Sequence, residues 1–193
     1  MRYTVFCGSS AGNKEEYVKQ ATALGEALAQ NQIGVVYGGA KVGLMGAIAN
    51  GALANGGEVI GVLPRFLADV ELGHTGLSEL LFVETMHERK AKMDELSDGI
   101  IALPGGYGTL EEFFEVLTWG QLGLHKKSIA LFNVDGFYNP LLDMITTMVD
   151  QGFLKEENKN MVIVSDDIED LLHQMAVYEA PKVGKWLAKK ENL

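Results

Sequence analysis

Gly99-Ile100-Ile101-Ala102-Leu103-Pro104-Gly105-Gly106-Tyr107-Gly108-Thr109-Leu110-Glu111-Glu112 decides the fold. Gly99 to Leu103 is a short, continuously apolar run, the pattern of a strand buried on both faces of a parallel sheet. A Gly-rich turn follows, and Thr109 to Leu122 then reads as a helix. Outward from this unit the alternation repeats. Strands are expected at Tyr3 to Cys7, Ile33 to Tyr37, Glu58 to Leu63, Leu81 to Val83, Ser128 to Phe132 and Met161 to Val164. Between the first two, Glu16 to Gln30 carries Tyr17, Val18, Ala21, Leu24 and Leu28 at helical spacing. Further helices are expected at Gly43 to Asn55, Met86 to Ser97, Asn139 to Gln151 and Asp166 to Met175, and the tail from Ala180 to Leu193 reads as a docked terminal helix. This alternation predicts an α/β fold: a Rossmann-like, doubly wound, mostly parallel sheet with helices on both faces. No internal repeat and no Pro- or Ser-rich linker divides the chain, so residues 1–193 are expected to form a single domain.

Composition narrows the function. The 193 residues are 47% hydrophobic and 22% charged, with 16 Lys plus Arg against 26 Asp plus Glu and a net charge of −10. Such a surface repels phosphate backbones and anionic lipid, so neither nucleic acid nor membrane is an expected partner. An anionic ligand must instead be held locally, by backbone amides or a few placed cations. The single cysteine, Cys7, cannot form an internal disulfide, and the four histidines are scattered without metal-ligand spacing. No metal and no cofactor is expected. The apolar run Met1 to Cys7 is too short for a signal sequence and no stretch approaches a spanning helix, so a cytoplasmic protein is expected.

In an open α/β sheet, ligands sit beyond the carboxyl ends of the strands. Gly8, Gly38-Gly39 and Pro104 to Gly108 all fall there. Such turns suit a phosphate, since glycine lets backbone approach a ligand and a helix N-terminus offers free N–H groups. The spacing is neither GxGxxG nor GxxxxGK[ST], so neither a dinucleotide nor a P-loop triphosphate is indicated. Thr109-Leu110-Glu111-Glu112 fits a capping box, with Thr109 capping the helix and Glu112 reaching back. It equally fits a carboxylate facing a cationic transition state, and spacing alone does not choose. Arg89 and Lys90 pose a similar choice. They read as a solvated helix face pairing with Glu88, Asp94 or Glu95, or as cations projecting to the same sheet edge. The glycines of Gly38 to Gly46 fit close helix–sheet packing nearly as well as a ligand.

Pro104 to Glu112 matches a PGGxGTxxE signature, and His87 to Met93 reads HERKAKM. Together with Gly8-Ser9-Ser10, the GGxxxGLMG block at Gly38 to Gly46, and Thr118 to Lys127, they make the chain resemble the Lonely Guy (LOG) family over most of its length. Members are cytokinin riboside 5′-monophosphate phosphoribohydrolases, and homologues are often labelled lysine decarboxylases. The latter label finds no support: no lysine sits in a recognisable Schiff-base context. The resemblance implies hydrolysis of the N-glycosidic bond of a cytokinin riboside 5′-monophosphate or AMP, releasing free base and ribose 5-phosphate.

Carried over position by position, Arg89 and Glu112 are the implied catalytic pair. The implied substrate-binding residues are Glu71, Arg89, Lys90, Gly106, Tyr107, Gly108, Thr109, Leu110, Glu111, Glu112 and Thr118, with Glu71 placed by its spacing to Arg89. The chemistry is consistent, because N-glycoside cleavage passes through an oxocarbenium-like sugar that a carboxylate stabilises. A non-catalytic purine-nucleotide sensor or carrier is the alternative, although phosphate binding alone needs no carboxylate. The resemblance also implies a homodimer, and Phe113, Phe114, Leu117, Trp119, Leu122 and Leu124 supply apolar surface for one.

Overall fold

The computed structural model describes residues 1–68 and 73–181. Glu71 and most of the expected terminal helix, with Trp186, lie outside the described residues. The chain runs β1 (Arg2–Phe6), α1 (Glu15–Gln30), β2 (Gly34–Tyr37), α2 (Gly43–Ala54), β3 (Val59–Pro64), β4 (Glu79–Val83) and α3 (Met86–Glu95). It continues through β5 (Gly99–Ala102), α4 (Tyr107–Gln121), β6 (Ser128–Phe132), α5 (Asn139–Asp150), α6 (Glu156–Lys159), β7 (Val162–Ser165) and α7 (Ile168–Ala176). The strands form one sheet in the order β4-β3-β2-β1-β5-β6-β7, and every neighbouring pair is parallel. The α/β expectation is thereby met.

The pleat explains the two-sided core. Along β1 and just beyond it, Tyr3, Val5 and Cys7 pack with Leu24 and Leu28 of α1, Ile48 of α2 and Leu171 of α7. Phe6 faces the other way, joining Met93 of α3, Phe113 and Val116 of α4, and Tyr138. Burying each such large side chain contributes about 1.5–3 kcal/mol relative to exposure. No described helix is long and apolar enough to cross a membrane.

The order of strands positions the site. From β1 the chain winds outward to β4, returns beside β1 as β5, and winds outward again to β7. The carboxyl ends of β1 and β5 therefore flank the point where the winding reverses, which opens a crevice in folds of this kind. Hydrogen bonds pin the turns there: Gly8 N–H donates to Pro104 O at 3.0 Å, and Leu44 N–H donates to Gly8 O at 3.1 Å.

Candidate active site

At that reversal lies a cavity of about 320 Å³, lined by Cys7 to Ser9 after β1, Gly38 after β2, Arg89 on α3, and Gly106 to Thr109 and Glu112 on α4. The volume falls at the lower end of small-molecule sites. A larger concavity of about 660 Å³ sits at the amino ends of β1 and β2, where its Arg2 is already paired with Glu58 at 2.7 Å. The chemistry-bearing side chains converge on the smaller one.

The start of α4 corrects one sequence expectation. The helix begins at Tyr107 with Gly106 as its N-cap, and no side chain caps it. Thr109 is its third residue and Glu112 its sixth, so the capping box of Thr109 and Glu112 does not form. The glycines let the backbone turn into helical geometry before the threonine is reached. A Cβ at Gly105 would press within 2.7 Å of Thr109 Cβ and 2.9 Å of Gly8 N, so this turn closes only on a bare backbone. The first helical bond of the turn runs from Leu110 N–H to Gly106 O at 3.2 Å. The amides of Tyr107, Gly108 and Thr109 precede it, as the donors that a helix start leaves for other acceptors. Their residues line the cavity, and Tyr107 itself is 95% exposed at its rim.

The solvated reading of Arg89 and Lys90 is likewise overturned: they are 6% and 8% exposed. Their expected partners are used elsewhere. Glu88 Oε2 accepts from Glu84 N–H at 2.8 Å while Thr85 caps α3, Asp94 pairs with Lys127 at 2.5 Å, and Glu95 pairs with Lys92 at 3.0 Å. Arg89 points into the cavity. Its Nη1 lies 4.0 Å from Met86 Sδ, and among the described residues its buried Nε has no hydrogen-bond partner. An arginine is almost never buried this deeply unless it is paired, so an unsatisfied Nε here calls for an explanation.

Lys90, one residue on, turns away from the cavity. It meets Glu111 Oε1 at 2.5 Å and Glu115 Oε2 at 2.9 Å, tying α3 to α4. Burial alone would depress its ammonium, but the two carboxylates outweigh it and hold its pKa above the ordinary lysine value. Leu110 does not line the cavity, and Thr118 opens on a separate groove of about 170 Å³ with Phe114 and Leu117.

The electrostatics at the floor are legible through Cys7. Burial pushes its thiol well above the ordinary range, the charge of Glu112 adds to this, and Arg89 opposes it. Carboxylate and guanidinium thus both act on the buried Cys7 at one small space. Met86 and Met93 line the same space at three before and four after Arg89, a spacing that would have placed them on its face. Met45 and Leu67 complete the apolar wall, and Leu67 carries no sequence signal. Among the described residues no group of His, Cys, Asp and Glu could hold a metal ion.

Residues 45–175 match the family model described as possible lysine decarboxylase. The chain is 52% identical over 167 residues to a cytokinin riboside 5′-monophosphate phosphoribohydrolase of Rhodococcoides fascians, covering 86% of this chain and 84% of that protein. It is 44% identical over 183 residues to one of Arabidopsis thaliana, covering 95% and 80%. The chain belongs to the Lonely Guy family. Solved structures similar to this LOG chain include a molybdenum cofactor carrier protein of Chlamydomonas reinhardtii, with a TM-score of 0.70 at 21% identity, covering 92% of this chain and 98% of that one. A molybdenum cofactor binding protein of Rippkaea orientalis gives 0.68 at 22%, covering 91% and 94%. At such identity the likeness shows the fold alone.

Proposed function

We propose that this protein is a phosphoribohydrolase acting on a cytokinin riboside 5′-monophosphate or AMP. The observation that carries this reading is the meeting of a buried guanidinium, a carboxylate and the amide-bearing start of α4 around one cavity in a LOG-family chain. The amides of residues 107 to 109 hold the 5′-phosphate. That anchor sets the ribose over Glu112, converting attack by water into a positioned, nearly unimolecular event. Water adds to C1′ as the C1′–N9 bond breaks. The electron pair leaves with the base, which takes up a proton, and the attacking water loses one. Glu112 stabilises the sugar cation and orients or deprotonates that water. Arg89 supplies the buried positive charge that the nucleotide meets. Glu71, Lys90, Leu110, Glu111 and Thr118 enter as substrate-binding residues on the family resemblance alone.

The reading extends to the whole chain as one domain built on a single sheet. It takes the protein to be cytoplasmic, where its one cysteine stays a free buried thiol. It takes the working unit to be a homodimer. Phe113 is spent inside the chain's own core, whereas Leu122 and Leu124 are exposed beside the half-buried Phe114, Leu117 and Trp119. A light-scattering mass near twice 21.0 kDa is expected, and the mass of one chain would contradict the dimer.

The catalytic reading is tested by incubation with AMP and with an isoprenoid-adenosine 5′-monophosphate, followed by chromatography. Free base should appear from one or both. Binding without released base would make the protein a nucleotide carrier.

A further inference from the structure

Gly38, immediately after β2, lines the cavity where its neighbours do not need to be glycine for the same reason. Gly39 adopts a φ of 84°, so its glycine serves the turn. Gly38 has no such positive φ, and an alanine could adopt its backbone. What excludes a side chain there is Arg89. A Cβ on Gly38 would overlap Arg89 Nη2, stand 3.2 Å from Cζ, and come within 2.8 Å of Met45 Sδ. The guanidinium therefore occupies the volume that any other residue at position 38 would fill. Its Nη1 lies 4.0 Å from Met86 Sδ, and its Nε is buried without a hydrogen-bond partner among the described residues. On the side of Gly38, Met45 and Met86 the guanidinium is bounded by packing.

We infer that Gly38 is a positioning residue for the reaction: the missing side chain is the slot that keeps the Arg89 guanidinium at the cavity wall. This inference rests on the catalytic reading of Arg89 above. A methyl group at 38 meets the far end of a long side chain, which yields before the backbone does. Arg89 is then displaced rather than the sheet disrupted. A misplacement of about 1 Å at a reacting centre costs roughly 10² in rate.

A double-mutant cycle of Gly38→Ala and Arg89→Ala tests this, read by base release from the nucleoside 5′-monophosphate that the wild type cleaves and by melting temperature. Gly38→Ala should lose roughly 10²-fold in kcat/KM, and the double variant should be no less active than Arg89→Ala. Gly38→Ala should lower the melting temperature more when Arg89 is present than when it is absent, where only the end of the flexible Met45 side chain must yield. Wild-type turnover in Gly38→Ala would overturn the positioning role, as would a loss that multiplies fully with that of Arg89→Ala. Should Gly38→Ala fail to fold, the double variant, relieved of the Arg89 overlap, should fold, and its failure to do so would overturn the role. Undiminished turnover in Arg89→Ala alone would instead remove the catalytic reading on which the inference stands.

Discussion

Glu112 is the residue at which two physical roles competed in the sequence, and its place in α4 separates them. Thr109 and Glu112 have capping-box spacing, yet the helix begins two residues before Thr109, so neither occupies the position that a cap requires. Stability then owes nothing to a cap at Glu112. Substituting Glu112→Gln keeps the shape and removes the charge. Losing electrostatic stabilisation of the transition state costs about 3–4 kcal/mol, so kcat should fall by roughly 10²–10³. The protein should stay folded and keep nucleotide affinity near that of the wild type, by calorimetry. A fully active Glu112→Gln would remove the carboxylate from the chemistry. The sequence offered Glu112 and Arg89 as candidates by motif, and the structure shows both lining one cavity, with Arg89 buried rather than solvated. Nothing in the HERKAKM spacing reveals that Glu88 accepts from Glu84 N–H while Thr85 accepts from Glu88 N–H, so that Glu88 is engaged at the start of α3 and Arg89 faces inward without it.

Elements explain what single residues do not. Helices α3 and α4 both contribute to the cavity, and Lys90 fixes one to the other through Glu111 and Glu115. Replacing Lys90 by Met leaves two carboxylates without their shared cation, one of them mostly buried, which should cost about 1–3 kcal/mol. The pKa of Lys90 is raised in the folded protein, so its contribution is complete below the ordinary lysine value of about 10.4 and fades as pH rises through the higher folded value. Melting curves of wild type and Lys90→Met should accordingly differ at neutral pH and converge at strongly alkaline pH. A constant gap across that range would mean that packing of the lysine stem, not its charge, joins the helices. Element existence was legible because strands buried on both faces read as unbroken apolar runs. The boundary that mattered, the start of α4, was not. Glycine has no side chain through which to signal a cap, and Thr109 offered a more familiar one.

At the scale of the whole molecule, the winding reversal between β1 and β5 brings three Gly-rich turns to one edge of an acidic protein. The parallel sheet was readable from alternation, and the location of its crevice followed from topology. The cavity wall was less so: Met45 and Leu67 reach it through the path of the chain, which periodicity does not encode. A net charge of −10 leaves phosphate recognition to local groups, and the proposed reading assigns it to the amides of residues 107 to 109 and the buried Arg89. The central claim is that this edge reads a 5′-phosphate in order to cleave the glycosidic bond beside it. Base release from the nucleoside 5′-monophosphate that the protein cleaves, AMP or the isoprenoid-adenosine 5′-monophosphate, and from the matching unphosphorylated nucleoside, followed side by side at equal concentration, measures that claim directly. The account predicts free base from the monophosphate and a much slower release from the nucleoside. Equal turnover of the two would contradict it.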